Sequence, residues 1–311
     1  MELKAMELSS ELFRPVGTGT GDLQAIVRPS TTYWQDAWRR LRQNKGAMAG
    51  LVVITLLIIM AAIGPSLTPY AYDAQQLSPE FTNQPPNARH WFGTDDLGRD
   101  LFTRVWHGAR ISLLVGFVSS LAQFLIGVTY GGLSGYLGGW VDEVMMRVVE
   151  IFSGVPFLLY VVLLMVVIGP GLHTILIALG AVCWLPMARL VRGQVLSLKE
   201  QEYVLAARAL GASRWRIILR HLIPNSMGPI LVYTTLAIPE AIFAEAWLSF
   251  LGLGVSAPIA SWGSLASDGI TAIRLYPWQL FFPAFFISLT LLAFNLLGDG
   301  LRDALDPRLR K

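Results

Sequence analysis

The sequence predicts an all-α integral membrane protein with six transmembrane helices, and three observations carry that prediction. Hydrophobic residues make up 54% of the 311 and charged residues 14%, where a soluble domain carries about 25% charged residues. Mean hydropathy is +0.53. The apolar residues gather into six runs, at about 47–63, 111–130, 144–168, 174–190, 226–248 and 278–297. Finally, the basic residues are distributed unevenly between the intervening stretches, as they are in inner-membrane proteins.

Residues 1–45 read as a cytoplasmic tail ending in an interfacial helix, and residues 46–311 as the membrane domain. The first part of the tail has no apolar periodicity and contains GTGTG (Gly17 to Gly21), a composition that suits a flexible chain. Trp34, Trp38, Arg39, Arg40, Arg42 and Lys45 then pair aromatic rings with cations, as headgroup-level helices do. The first apolar run starts near Ala47 and lacks a small-residue cleavage pattern, so it reads as a span and not as a secretory signal.

Residues 66–110 are polar and carry Pro69, Pro79, Pro85, Pro86, Gly93 and Gly98. A stretch of this length between spans predicts an ordered outer-face segment. Its His90, Asp95, Asp96, Asp100 and His107 admit a metal reading, but their spacing matches no familiar ligand pattern. Carboxylates interleaved with Arg99 and Arg104 read better as ion pairs and helix caps.

After the second span, GGLSGYLGG (Gly131 to Gly139) predicts a turn. At the start of the third span, Arg147 lies four residues from Glu143 and three from Glu150, so both can pair with it on one helix face. Pro156 predicts a kink within that span, because it removes a backbone hydrogen bond. The fourth span contains Cys183, the single cysteine, which is read as apolar filler, and Pro186. The fifth contains Pro229, Pro239, Glu240 and Glu245. Ionisable groups at membrane depth are by default functional candidates. A separation of five residues turns the two carboxylates about 140° apart on a helix, so they do not share one pore line. Glu240, Glu245 and Ser249 are therefore candidates for a translocation path. Glu245 is placed to reach Ser249 four residues on, and the plainer reading buries both carboxyls against neighbouring helices.

The stretch between the fourth and fifth spans, residues 199–225, is a charged interruption with a regular plan. Glu202 opens a short helix, followed by Tyr203, Ala206, Ala207 and Leu210. Gly211 suits a left-handed helix end, and Ser213 an N-cap for a second helix that begins at Arg214. Small side chains allow another protein to approach the backbone. On these residues alone, an ordinary amphipathic loop helix and a docking element are equally good readings.

The charge count fixes the expected orientation. With the N-terminus inside, nineteen of the 24 Lys and Arg residues lie on the cytoplasmic side, and five (Arg89, Arg99, Arg104, Arg110 and Arg274) lie outside. This places residues 199–225 and both termini in the cytoplasm. The net charge of +3 sits in membrane-flanking loops and not in one patch with interleaved aromatics, which argues against nucleic-acid binding. No GxxxxGK[ST] phosphate loop, HExxH or GxSxG motif occurs, which disfavours an ATPase or an intramembrane enzyme. The inverted repeat expected of a self-contained secondary transporter is not visible.

Four ordered segments then resemble one family. They are HWFGTDDLGRDLFTRVWHGARISL (His90 to Leu113), EYVLAARALGAS with RHLIPN (Glu202 to Asn225), AEAWLSFLGLGV (Ala244 to Val255) and NLLGDGLRDALDPR (Asn295 to Arg308). They look like the dipeptide/oligopeptide/nickel permeases of ATP-binding-cassette importers, in particular the C-type subunit. The pattern Leu205-Ala206-Ala207, Gly211 and Pro224 resembles that family's EAA loop. The resemblance implies a type I importer permease in a bacterial or archaeal cytoplasmic membrane. Its partners would be a second homologous permease, two cytoplasmic ATPases that bind ATP and Mg, and an extracytoplasmic binding protein. Glu202, Tyr203, Ala206, Ala207, Leu210, Gly211 and Arg214 would form the ATPase-coupling element, and this chain would hold no catalytic residue, metal or cofactor of its own. Leu205 stands at the EAA glutamate position, and His221 and Ile223 replace the usual Ile and Leu, so no salt bridge from that glutamate is expected. The remaining alternatives are a self-contained channel or carrier and a scaffold without a pore.

Overall fold

In the computed structural model, residues 32–306 are described; the predicted tail with GTGTG and the last five residues lie outside them. Among the described residues every regular element is helical, and an isolated bridge joins Thr94 to Asp100. The helices are α1 (Tyr33–Gln43), α2 (Lys45–Ile63), α3 (Leu101–Leu137), α4 (Gly139–Gly154), α5 (Phe157–Ile168), α6 (Leu172–Val182), α7 (Trp184–Leu198), α8 (Glu202–Ala209), α9 (Arg214–Ile217), α10 (Ile223–Phe250), α11 (Trp262–Ala272) and α12 (Trp278–Leu305). Five stretches are long and apolar enough to cross a membrane: Lys45–Ser66, Leu101–Leu137, Leu172–Leu198, Arg214–Phe250 and Trp278–Leu305. The bent pair α4 and α5 brings the number to six.

Helix α1 turns Ala37 and Leu41 inward against the end of α12, and the Tyr33 hydroxyl donates to the Leu305 carbonyl at 3.3 Å. Arg42 lies 4.9 Å from the centre of the Trp38 ring. Asn44 separates α1 from α2 and caps α2 by accepting from Ala47 N at 3.1 Å.

Helix α3 starts at Leu101, ten residues before the apolar run that announced it. Asp100 explains the early start. As N-cap it accepts from Thr103 N at 2.8 Å and from Thr103 Oγ1 at 2.7 Å, which satisfies an otherwise orphaned first-turn amide. The helix then runs for 37 residues, about 55 Å at the α-helical rise, so it projects well beyond a hydrocarbon core of about 30 Å.

The glycines of the predicted turn lie mostly inside α3, and the chain turns only at Gly138 and Gly139, both with positive φ. What Gly131 and Gly135 provide is close approach to α7. A Cβ on Gly131 would overlap the Ala188 carbonyl, and one on Gly135 would press on the Arg192 carbonyl and Val195. Small residues spaced four apart let two membrane helices pack at short range.

The predicted kink at Pro156 is a break. Val155 is extended, α4 ends at Gly154, and α5 leaves at 81°. The residue before a proline avoids the helical region and the proline cannot continue the bonding ladder.

The core has three main centres. Near the start of α3, Phe102, Val105 and Trp106 pack with Leu57, Trp262 and Phe286. Midway, Val115, Val161, Ile175, Leu179 and Leu248 join α3, α5, α6 and α10. Near the end of α3, Met187, Val191, Val195, Val204, Ile217 and Ile230 tie α7 to α8, α9 and α10. The last centre sits at the opposite end of the bundle from residues 66–100.

Candidate functional site

Two places collect the candidate residues: the α8–α9 hairpin and the C-terminal half of α10.

The hairpin begins after Lys199, whose Nζ donates to the Gly135 carbonyl near the end of α3 at 3.2 Å. Helix α8 ends in a paired turn. Gly211 N donates to the Arg208 carbonyl and Ala212 N to the Ala207 carbonyl, both at 3.0 Å, and Gly211 holds φ +79°. This is the two-bond C-terminal motif that needs a left-handed residue, which glycine adopts without a Cβ clash. Ser213 then caps α9 by accepting from Arg216 N at 3.3 Å. A single π-helical turn, Ile218–Leu222, joins α9 to α10.

The hairpin is fastened by few side chains. Val204 is its buried residue on α8, and Arg208 lies 5.9 Å from the centre of the Tyr136 ring. Its other face is open: Leu210 is 88% exposed and Trp215 60%, and Tyr203, Leu205, Ala206, Glu202 and Arg214 are also exposed, with Ala207 part-exposed. Such apolar side chains on a polar loop form a patch that nothing among the described residues covers.

The frame beside the hairpin is a group that sequence spacing did not reveal. Asp142, in the first turn of α4, accepts from Arg192 Nε and Nη2 at 2.6 Å each and from Ser134 Oγ. The fork-to-carboxylate geometry is the strong form of ion pair, and it locks α3, α4 and α7 together. Nearby, Arg147 pairs with Glu150 at 2.7 Å on an exposed face.

On α10 the two carboxylates have different surroundings. Glu245 is fully buried; its Oε1 accepts from Ser249 at 2.8 Å and from Ser261 at 2.6 Å. Ser261 is the N-cap of α11 and accepts from Ser264 N at 3.0 Å. Trp262 beside it donates Nε1 to the Val105 carbonyl at 2.9 Å, and its backbone N donates to Ser112 Oγ at 3.1 Å. Glu245 and Ser249 therefore seat α11 between α3 and α10. Glu240 instead lines a recess of about 270 Å³, together with Ser119, Gln123, Phe157, Cys183 and Tyr233.

His90, His107 and Asp95 of the outer segment engage other groups. His90 Nδ1 lies 2.8 Å from Asp100 Oδ1, and the His107 ring stacks on Tyr72 at 3.9 Å. Asp95 accepts from Arg99 Nε at 2.7 Å and from Arg104. Asp95, Arg99 and Arg104 border an outer concavity of about 510 Å³, with Asp96 and Asp268 on its wall.

The arrangement described so far, a helical membrane bundle with an uncovered hairpin at one end and a largely apolar recess beside Glu240, is that of a membrane permease. The comparisons with known proteins agree. A family profile described as "Binding-protein-dependent transport system inner membrane component" matches residues 127–311. A second, "N-terminal TM domain of oligopeptide transport permease C", matches residues 32–86. The chain is 58% identical to the dipeptide transport system permease protein DppC of Bacillus subtilis, over 93% of this chain and 90% of that protein. It is 53% identical to the oligopeptide transport system permease protein OppC of the same organism, over 98% and 99%. With OppC of Escherichia coli K12 it shares 47% identity over 88% and 91%. A chain of the inward-facing MetNI methionine ABC transporter has the same fold, with a TM-score of 0.53 at 20% identity over 65% of this chain and 96% of that one. The chain belongs to the family of binding-protein-dependent transport system inner membrane components.

Proposed function

We propose that this chain is the C-type permease subunit of an ATP-driven peptide importer and forms half of its translocation path. The observation that carries this reading is the α8–α9 hairpin. Its turn is rigidly built, its inner side is fixed through Val204 and Lys199, and its outer side presents Tyr203, Leu205, Ala206 and Leu210 without cover. A docking surface has this form: an apolar centre on which a partner's groove closes. The partners on this reading are two cytoplasmic ATPases, which bind ATP and Mg, a second homologous permease, and a binding protein that presents the solute at residues 66–100 and the loop before α11. Peptides are the natural solute, since the relatives at 58% and 53% identity are dipeptide and oligopeptide permeases. Residues 1–45 form the cytoplasmic tail with its interfacial helix and residues 46–311 the permease domain, with both termini cytoplasmic. Glu202, Tyr203, Ala206, Ala207, Leu210, Gly211 and Arg214 couple the ATPases to the bundle. With Leu205 in place of a glutamate, coupling rests on shape and apolar burial.

The test is Ala207→Arg. A long cation at this part-exposed position wedges the docking surface apart, so the permease pair should still form while ATPase association and ATP-dependent uptake in proteoliposomes are lost. Normal assembly and uptake would overturn the coupling assignment. Uptake by this chain alone, without ATP, would favour a self-contained channel.

A further inference from the structure

The recess beside Glu240 holds more unspent hydrogen-bonding capacity than its apolar setting accounts for. Ser119 lies halfway along α3 and is 1% exposed; Gln123, one turn on, is 4% exposed. Both line the recess, and neither Ser119 Oγ nor Gln123 Nε2 has a hydrogen-bond partner. Among the described residues Glu240 has no hydrogen bond or ion pair, although its helix neighbour Glu245 has two serine donors. Buried polar groups are normally paired, and leaving one unmade costs about 1–3 kcal/mol. A carboxylate at membrane depth is costlier still unless something answers its charge. Two buried, unpaired polar groups and an exposed carboxylate thus line one recess, a combination suited to holding a polar ligand.

The chemistry selects the ligand. One carboxylate calls for one positive charge. Few oxygen donors surround it, whereas Ca²⁺ takes about six to eight oxygens, and no group of three or more metal-ligating side chains occurs among the described residues. An ammonium has three donors and no acceptor. The Glu240 carboxylate, the Ser119 hydroxyl and the Gln123 amide oxygen supply three acceptors, and the Gln123 amide N–H is left for a carbonyl next to the ammonium. A peptide carries that ammonium-and-carbonyl pair at its N-terminus whatever its sequence. The remaining wall includes Ala237, Ala241 and Ala244, which offer a side chain space without reading it.

We infer that Glu240, Ser119 and Gln123 form a binding site for the free α-ammonium of a peptide in transit, a site that rests on the peptide-importer reading above.

The experiment uses the complete complex in nanodiscs without its binding protein, so that the binding protein's own selectivity does not enter. Tritiated tetra-alanine is bound by scintillation proximity and displaced by unlabelled tetra-alanine or by its N-acetyl form. The unmodified peptide should compete about tenfold better, the scale of one charge-assisted hydrogen bond. Glu240→Gln should erase the difference, and Glu240→Asp should keep part of it. Equal competition by the two peptides, absence of saturable binding, or a preference that survives Glu240→Gln would overturn the site. Should Glu240→Gln not assemble, the wild-type preference and its loss in Gln123→Leu decide the matter. The peptide-importer reading is tested separately: absence of ATP-dependent tetra-alanine uptake in the presence of the binding protein defeats that reading. Uptake together with equal competition defeats only the ammonium site.

Discussion

The two ends of the bundle both carry polar chain outside the spans, and they are built on opposite principles. At one end, residues 66–100 close on themselves. Asn83 N donates to the Asp95 carbonyl at 2.9 Å and Thr94 N to the Gln84 carbonyl at 3.0 Å. Gln279 at the start of α12 donates to Asn83 Oδ1 at 2.8 Å, and Asp95, Arg99, Asp100 and Arg104 are all buried. At the other end, the α8–α9 hairpin has one buried side chain on α8 and a row of uncovered apolar ones. A segment that satisfies its own polar groups can stand alone against water. A segment that leaves Leu210 and Trp215 exposed has the form that the proposed docking role requires. The difference separates a self-supporting cap from a joint.

The largest effect of breaking this contrast is expected at the self-supporting end. Asp95→Asn removes the charge that answers both Arg99 and Arg104. Losing one partner of a buried ion pair costs about 3–5 kcal/mol, because the remaining charge stays buried. Thermal unfolding of the detergent-purified protein should show a clear drop, with hydrogen exchange rising first in residues 66–100. An unchanged melting profile would mean that the segment does not depend on its charges.

The same cluster shows what sequence reading reaches and what it does not. The spans were legible because apolar runs of that length have one stable solution in a bilayer. The Glu245–Ser249 bond was legible too, being a local matter of spacing, as was the general role of the carboxylates near Arg99 and Arg104 in ion pairs and caps. The start of α3 was not, because Arg104 and His107 look like loop residues until Asp95, nine positions before Arg104, is seen to answer the arginine. The glycines at 131 and 135 read as a turn because their reason lies on α7, more than fifty residues away. The Asp142–Arg192 pair and the link from Glu245 to the cap of α11 are likewise separated by 50 and 16 residues. At the hairpin the sequence supplied every element of the turn but left open whether anything docks there; exposure of its apolar face is a property of the packed chain.

A smaller effect is expected on the wall of the outer concavity. Asp268 on α11 is pushed above the ordinary carboxylate value by burial, against the pull of Arg104 and Arg99, with Asp96 and Asp95 adding to the rise. A carboxyl raised in this way is harder to ionise folded than unfolded. Its share of stability is therefore fully present below the ordinary carboxylate value and is lost as pH rises through its folded value. The side chain still reaches water, so solvent screening keeps the effect modest. Asp268→Asn should flatten the stability profile on the alkaline side of the carboxylate range and leave the neutral-pH protein no less stable than wild type. A steeper profile in the variant would show that Asp268 is held by the arginines more than it is penalised by burial.

The smallest effect on stability, and the sharpest test of the contrast, belongs to Leu210→Ser. Leu210 is 88% exposed and follows the last residue of α8 as its C-cap, so the substitution removes almost no burial within this chain. Exposed substitutions of this kind usually fall within about 0.5 kcal/mol, and the melting temperature of the purified subunit should not move. On the proposed coupling role the same leucine meets an ATPase, where an apolar anchor buried against a partner is worth far more than its exposed counterpart. ATP hydrolysis stimulated by the loaded binding protein should fall several-fold, while basal hydrolysis by the ATPases persists. If stability falls and coupling does not, Leu210 supports the fold of the hairpin and the contrast between cap and joint fails at its clearest residue. If both stay at wild-type values, the docking surface excludes the C-cap of α8, and the search moves to Tyr203 and Leu205 on the preceding turns.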